Sequence, residues 1–305
     1  MNRTPLQCKR CILDTHDDVN IFFDENGVCN HCRNYEVLRK NYLKEGLEGE
    51  KELQKIIDRI KKKGIGRKYD CIMGLSGGTD STYIAYLAKK YNLRPLVVHL
   101  DNGWNSELAV DNIKNIVSIL DFDLYTYVIS WDEFKDLQLA YLMASVIDIE
   151  AITDHAILAT LYKLAAQNKV KYILSGTNIV TEAVLPSVWI HNKMDAENIK
   201  SIHKQFGSKP LRTFPFLDMW HKLYYFKILK IESVSLLNYV PYVKKEAKEL
   251  ITKELRWRDY GGKHYESIFT RFYQGYILPK KFNVDKRKAH LSTLICSGQL
   301  TRKQA

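Results

Sequence analysis

Ser76, Gly77, Gly78, Thr79, Asp80 and Ser81 bring two glycines, three hydroxyls and a carboxylate together in six consecutive residues. That chemistry suits the phosphates of a nucleotide. Glycines let the main chain approach an anion with no Cβ in the way, hydroxyls add donors, and Asp80 can hold a magnesium ion against phosphate charge. Upstream, residues 69–75 form a short apolar run that reads as a buried strand; downstream, Ile84, Ala85, Leu87 and Ala88 recur at helical spacing. The loop therefore joins a strand end to a helix start, where unpaired N–H groups and the positive end of the helix dipole face outward. The alternative is a tight turn that binds nothing. No Lys-Ser/Thr follows the second glycine, so this is not a Walker-type loop.

A second cluster is Cys8, Cys11, Cys29 and Cys32, spaced C-x2-C-x17-C-x2-C. Each C-x-x-C turn presents two thiolates, and two such knuckles complete a tetrahedral zinc site. Four cysteines leave no open coordination position, so the zinc is structural. His16 and His31 lie nearby as substitute ligands that four thiolates make unnecessary.

Composition sets the frame for both. The chain has 305 residues, 46% hydrophobic and 27% charged, which is globular. No apolar run approaches the roughly 18 residues of a membrane span, and residues 1–8 lack a signal-peptide core, so a cytoplasmic protein is expected. The net charge is +11, and residues 241–305 carry fifteen Lys or Arg against six Asp or Glu. Such a surface suits a nucleotide, a nucleotide sugar or an RNA. Any one of these lysines could equally belong to a solvated helix face.

The elements that must position these groups follow in order. Residues 1–35 read as the zinc-knuckle module, with a strand and turn over 21–28, and 36–67 as a connecting helix stopped by Gly64 and Gly66. From residue 68 to 194, apolar runs at 71–75, 95–100, 124–129 and 171–175 alternate with helical patterns at 81–91, 105–120, 131–146 and 153–167. This alternation predicts an α/β domain with a doubly wound parallel sheet and ligands at the carboxyl ends of its strands. Residues 195–305 read as a helical, basic C-terminal region for substrate or partner, with helices near 196–206, 220–236 and 243–256.

The motif S-G-G-x-D-S resembles the PP-loop of the ATP pyrophosphatases, the superfamily of NAD synthetase, GMP synthetase, asparagine synthetase and tRNA-thiolating enzymes. The resemblance implies that Ser76, Gly77, Gly78, Thr79, Asp80 and Ser81 bind ATP and grip departing pyrophosphate, with Asp80 and Ser81 as catalytic residues. Gly176-Thr177, after the fourth strand, resembles the NAD synthetase loop in which a glutamate five residues on shares magnesium with the PP-loop aspartate. Glu182 has that spacing, so it pairs with Asp80 or else caps a helix. His99 and Asp101 end the second strand, where superfamily members hold adenine and ribose; Asp101 serves a ribose hydroxyl or an Asx-turn. His155 opens a helix and either reaches the cleft or packs. Donors crowd residues 257–266 and 285–292; their Lys and Arg could clamp phosphates, a cation over the α-phosphate would stabilise the charge that develops as pyrophosphate leaves, and Lys286 is taken as the catalytic residue among them.

Taken with the paired knuckles, Thr153-Asp154-His155, Ser175-Gly-Thr-Asn178 and the tail Asp285-Lys-Arg-Lys-Ala-His-Leu-Ser292, the chain resembles the N-acetyl sugar amidotransferases of lipopolysaccharide and surface-glycan synthesis. The resemblance implies ATP-dependent conversion of an acetamido group, on a sugar or nucleotide sugar, to an acetamidino group, with release of AMP and pyrophosphate. The cofactors implied are ATP, Mg2+ and structural Zn2+. Cys71 and Cys296 lack the elbow of a class I glutaminase, so ammonia is expected from a separate, histidine-biosynthesis-like glutaminase subunit, with a barrel-shaped channel subunit. The alternative is a tRNA-modifying PP-loop enzyme that thiolates or aminates an adenylated base. Asp154 and His155 stand where a thiolase would carry cysteines, which argues against nucleic acid.

Overall fold

The computed structural model describes residues 5–305; residues 1–4 of the N-terminal module lie outside it. Five strands form one parallel sheet: β1 (Cys71–Gly74), β2 (Pro95–Asp101), β3 (Asp123–Val128), β4 (Tyr172–Ser175) and β5 (Glu232–Ser235), in the order β3-β2-β1-β4-β5. The pairing runs Cys71 with Pro95 through Gly74 with Val98 on one side of β1, and Ile72 with Ile173 on the other. The chain builds outward from β1 to β3, then returns across to β4. The crevice between the carboxyl ends of β1 and β4 is thus the point where strand order reverses, the place for a ligand in an open parallel sheet.

Alternation along the strands divides the core. Cys71, Met73 and Val97 pack on one face with the helices α2 (Gly46–Gly64), α3 (Thr79–Lys90) and α4 (Glu107–Leu120). Ile72, Leu96 and Val98 face the other way, onto Ala159, Leu161 and Tyr162. Both faces are covered, as a parallel sheet requires. A third cluster joins Cys8, Cys11, Cys29 and Cys32 to Tyr35 of α1 (Asn30–Tyr42), to Phe134 and Leu137 of α5 (Trp131–Ala144), and to Ile152 and Ala156 of α6 (Ala151–Gln167).

The remaining helices are α7 (Ile179–Glu182), α8 (Ala196–Phe206), α9 (Met219–Lys222), α10 (Lys244–Leu255), α11 (Ile268–Phe272), α12 (Leu278–Phe282) and α13 (Lys286–Cys296). The expected helix over 220–236 ends early. Lys230 adopts a left-handed φ of 51°, the chain reverses, and Glu232–Ser235 joins the sheet beside β4. In place of the expected strand over 21–28 there is a single bridge between Phe23 and Cys29. The expected connecting helix is two helices, α1 and α2, broken near Leu43.

Asp136 ties α5 to the turn after α8. Its carboxylate accepts from the Ser208 and Lys209 amides, the Ser208 hydroxyl and His203 Nε2. Burial pushes the group up, but the Ser208 hydroxyl, the Lys209 amide and His203 outweigh it and hold Asp136 below the usual carboxylate range. A carboxylate held low stabilises the fold above its unfolded value and loses that contribution as pH falls. Asp136→Ala should cost about 3 kcal/mol at pH 7, because several buried donors lose their acceptor. Urea unfolding at pH 7 and pH 3 should show the gap from wild type narrowing at the lower pH.

Candidate functional site: a phosphate cleft at the sheet crossover

Leu75 leaves β1 and the chain turns at Gly77, whose φ of +81° is open to glycine. Three groups fix this turn. The Gly77 carbonyl accepts from Trp257 Nε1 at 2.7 Å and from the Tyr260 hydroxyl at 2.9 Å, and a Cβ at this position would lie 2.7 Å from that hydroxyl. Ser76 Oγ lies 3.2 Å from Ser81 Oγ and accepts from the Gly78 amide at 3.2 Å. Gly78 then caps α3 without a side-chain hydrogen bond, leaving the Thr79, Asp80 and Ser81 amides without intrahelical partners. These three amides with the helix dipole behind them make an anion site. Gly77→Ala should displace Tyr260 and weaken nucleotide binding about tenfold or more, as read by calorimetric titration with a non-hydrolysable ATP analogue.

The loop after β4 completes the crevice. Gly176 packs on the Asp80–Ser81 backbone, and Thr177 Oγ1 is held by Ser175 Oγ at 2.9 Å and Ser235 Oγ at 3.0 Å. Asn178, not Glu182, caps α7 by accepting from the Thr181 amide at 2.8 Å. Glu182 is thereby freed to face the cleft, where it meets Lys263 Nζ at 3.1 Å.

The cleft has a volume of about 310 Å³ and is lined by Ser76, Gly78, Thr79, Asp80 and Ser81, by Gly176, Thr177 and Glu182, and by a wall from the C-terminal region. That wall includes Lys244, Lys248, Lys263, His264 and Glu266. The Tyr242 hydroxyl donates to Asp80 Oδ1. Burial, and after it the Glu182 carboxylate, push Asp80 above its ordinary value, which Lys244, Lys263 and Tyr242 partly offset. Burial, with the nearby Lys263 and Lys248, lowers the Lys244 ammonium against the opposing pull of Asp80 and Glu182. Two carboxylates sharing one cleft are the hard oxygen donors that magnesium prefers, with phosphate oxygens to complete its shell. Asp80 and Glu182 fit that ion. A wider, open depression of about 540 Å³ lies at the opposite, amino ends of the strands, beside Lys68 and Leu124, where no catalytic set converges.

Other predicted residues sit elsewhere. His99 Nδ1 donates to the Leu75 carbonyl at 3.1 Å and its Nε2 faces Asn105 at 3.1 Å, so it buttresses the start of the loop. Asp101 accepts from the Gly103 amide at 2.9 Å, the Asx-turn alternative. His155 is fully buried: its Nδ1 bonds the Lys193 carbonyl at 2.8 Å and its Nε2 accepts from the Leu217 amide at 2.9 Å. It packs beside Phe214 and does not reach the cleft. Lys286 is paired with Glu150 at 2.9 Å and is not among the cleft residues. Lys244, Lys263 and Tyr242 take the positions facing the loop. Only Lys263 lay in the donor-rich run singled out from sequence, and nothing local distinguishes the other two.

The four predicted zinc ligands converge. Cys8, Cys11, Cys29 and Cys32 are fully buried with their sulfurs all within 4.8 Å of one another. Zinc–sulfur bonds of about 2.3 Å give a tetrahedron edge of roughly 3.8 Å. The Cys8–Cys32 and Cys11–Cys29 separations are 3.9 and 3.7 Å. Amides of Arg10, Cys11 and Cys29 point at Cys8 Sγ, as they would at a thiolate. His31 pairs with Asp18 at 2.9 Å and is no ligand. Cys296, at the end of α13, donates its thiol to Cys32 Sγ at 3.5 Å.

A parallel sheet in this strand order, with S-G-G-x-D-S leaving its central strand and an acidic partner on the adjacent crossover loop, is the arrangement that the resemblance to the PP-loop ATP pyrophosphatases implies. Residues 266–305 match the family described as the C-terminal domain of WbpG-like LPS biosynthesis proteins. An uncharacterized protein of Methanocaldococcus jannaschii is 30% identical over 120 residues, covering 39% of this chain and 41% of that protein. The match thus spans about two fifths of that relative's length. Among solved structures, the NMN synthetase of Francisella tularensis is similar at 14% identity and a TM-score of 0.35, covering 77% of this chain and 95% of that one. The NH3-dependent NAD synthetase of Campylobacter jejuni is similar at 14% identity and a TM-score of 0.36, over 77% and 97%. Among the described residues no helix is long and apolar enough to cross a membrane.

Proposed function

We propose that this chain is the synthetase subunit of an ATP-dependent amidotransferase that converts the acetamido group of a sugar or nucleotide sugar to an acetamidino group in lipopolysaccharide biosynthesis. The observation that carries this reading is the shared cleft. Glu266, the first residue of the WbpG-like region, lines the same cavity as Ser76 to Ser81, and His290 of that region holds the cleft residue Lys263 at 3.3 Å. A region matched to LPS biosynthesis proteins and the loop of residues 76–81 therefore line one cleft.

An amide oxygen is a poor leaving group. Its attack on the α-phosphorus breaks the bond to pyrophosphate and gives an adenylated imidate; ammonia then adds to the imidate carbon and AMP departs with the former amide oxygen. The Thr79, Asp80 and Ser81 amides would hold the pyrophosphate, stabilising charge as it leaves. Lys244 would meet the α-phosphate. Asp80 and Glu182 would hold magnesium, which when bound neutralises phosphate charge.

Ammonia needs a source. Cys71 lies fully buried in β1, where burial pushes its thiol up, and Cys296 is buried against Cys32. Neither can attack glutamine, which supports a separate glutaminase subunit. The test is release of AMP and pyrophosphate from ATP, assayed with a panel of acetamido sugar nucleotides, ammonia and bulk tRNA. Release that requires an acetamido sugar and ammonia bears the reading out; release that follows tRNA instead would sink it.

A further inference from the structure

One cation of the cleft wall has no task in that scheme. Lys263 Nζ lies 3.1 Å from Glu182 Oε1 and 3.3 Å from His290 Nδ1. Its neighbour Lys248 is already neutralised by Asp259 at 2.6 Å. Lys263 is anchored differently. An ammonium only donates, so the contact with His290 requires a bare Nδ1 and puts the imidazole proton on Nε2. That Nε2 is buried and has no hydrogen-bond partner. Burial, and after it the nearby lysines and His264, keep His290 uncharged. A neutral anchor holds Lys263 without spending its charge.

That charge faces an acidic pair. Asp80 and Glu182 share a partly buried cleft, an arrangement that is costly unless a cation stands with it. The nearest cation on Glu182 is Lys263, whose side chain is only 17% exposed. We propose that Lys263 is a resident cation, standing in the nucleotide-free protein against the carboxylates that a divalent ion takes over, and moving from Glu182 to the phosphates when the metal–nucleotide arrives. The inference rests on the reading of Asp80 and Glu182 as the metal pair. His290 acts as the positioning residue: its lone pair is taken by Lys263, and it keeps Lys263 at the cleft in both states. Lysine and metal then compete for one carboxylate oxygen, a coupling that disfavours a bare divalent ion and favours one delivered with phosphate.

Manganese binding to the full chain without nucleotide, followed by electron paramagnetic resonance, tests this directly. Lys263→Met should bind Mn2+ about tenfold more tightly than wild type, while its affinity for a non-hydrolysable ATP analogue with Mn2+ falls by a similar factor. Adding Glu182→Gln should remove the gain. An affinity for Mn2+ within twofold of wild type, or a gain that survives Glu182→Gln, would overturn the proposal. Lys263→Gln serves if the Met variant melts early. Retention of the analogue by wild type separates the two claims: if it binds and Lys263→Met changes nothing, only the displacement fails, whereas no binding at all defeats the ATP reading and this inference with it.

Discussion

Asp80→Asn should lower pyrophosphate release about a thousandfold and leave the protein as stable as wild type at pH 7, or slightly more so. Loss of activity follows from removing one of the two carboxylates that would hold the metal. The stability follows from the sign of the Asp80 shift. Burial and the Glu182 carboxylate raise the acid's folded value above its unfolded one. Its contribution to stability is therefore fully present at low pH and is lost as pH rises through the raised value, so the ionised form of Asp80 is a cost to the fold. The isosteric amide removes that cost and keeps an acceptor for the Tyr242 hydroxyl. A melting temperature several degrees below wild type would show instead that the Asp80 charge is structural.

The second large effect is expected from zinc removal. Chelation, or Cys32→Ser, should unfold the N-terminal knuckles and cost several kcal/mol, because the binding free energy of a four-thiolate site is folding free energy. The damage should travel. Lys288 of α13 pairs with Asp14 at 2.8 Å and Asp17 at 3.0 Å, the Ile12 amide donates to Ser292, and Cys296 meets Cys32. The same helix carries His290 and thus the anchor of Lys263. Hydrogen exchange of α13 should accelerate after zinc release, together with a drop in nucleotide affinity, although no catalytic group is removed. Unchanged exchange across residues 286–296 would mean that the knuckles are an independent appendage.

Much of this was legible because it is local. Short apolar runs alternating with helical patterns marked β1 to β4, and S-G-G-x-D-S needed only a strand before it and a helix after it to be read as an anion site. Cysteine spacing announced the four-cysteine cluster for the same reason. Glu182 was singled out by the resemblance to the NAD synthetase loop, with a helix cap as the alternative, and its freedom to face the cleft depended on Asn178 taking the cap.

What escaped was set by tertiary contact. β5 reads Glu-Ser-Val-Ser, with Val234 its one apolar residue, so no apolar run marks it, and the left-handed turn at Lys230 that cuts it from the preceding helix occurs at a residue with no preference for it. His155 heads α6 in sequence, yet the chain at Lys193 and Leu217 folds over it and occupies both ring nitrogens. Lys286 and Lys263 lie in similar basic, aromatic stretches. Only the fold shows that Glu150 claims the first and the cleft the second.

The central claim is that an acetamido oxygen attacks the α-phosphorus. It is tested most directly with a substrate sugar nucleotide labelled with 18O in its acetamido group, incubated with ATP, magnesium and ammonia. The account predicts one labelled oxygen in AMP and none in pyrophosphate, with the acetamidino product free of label. Unlabelled AMP, or label retained in the sugar product, would contradict it.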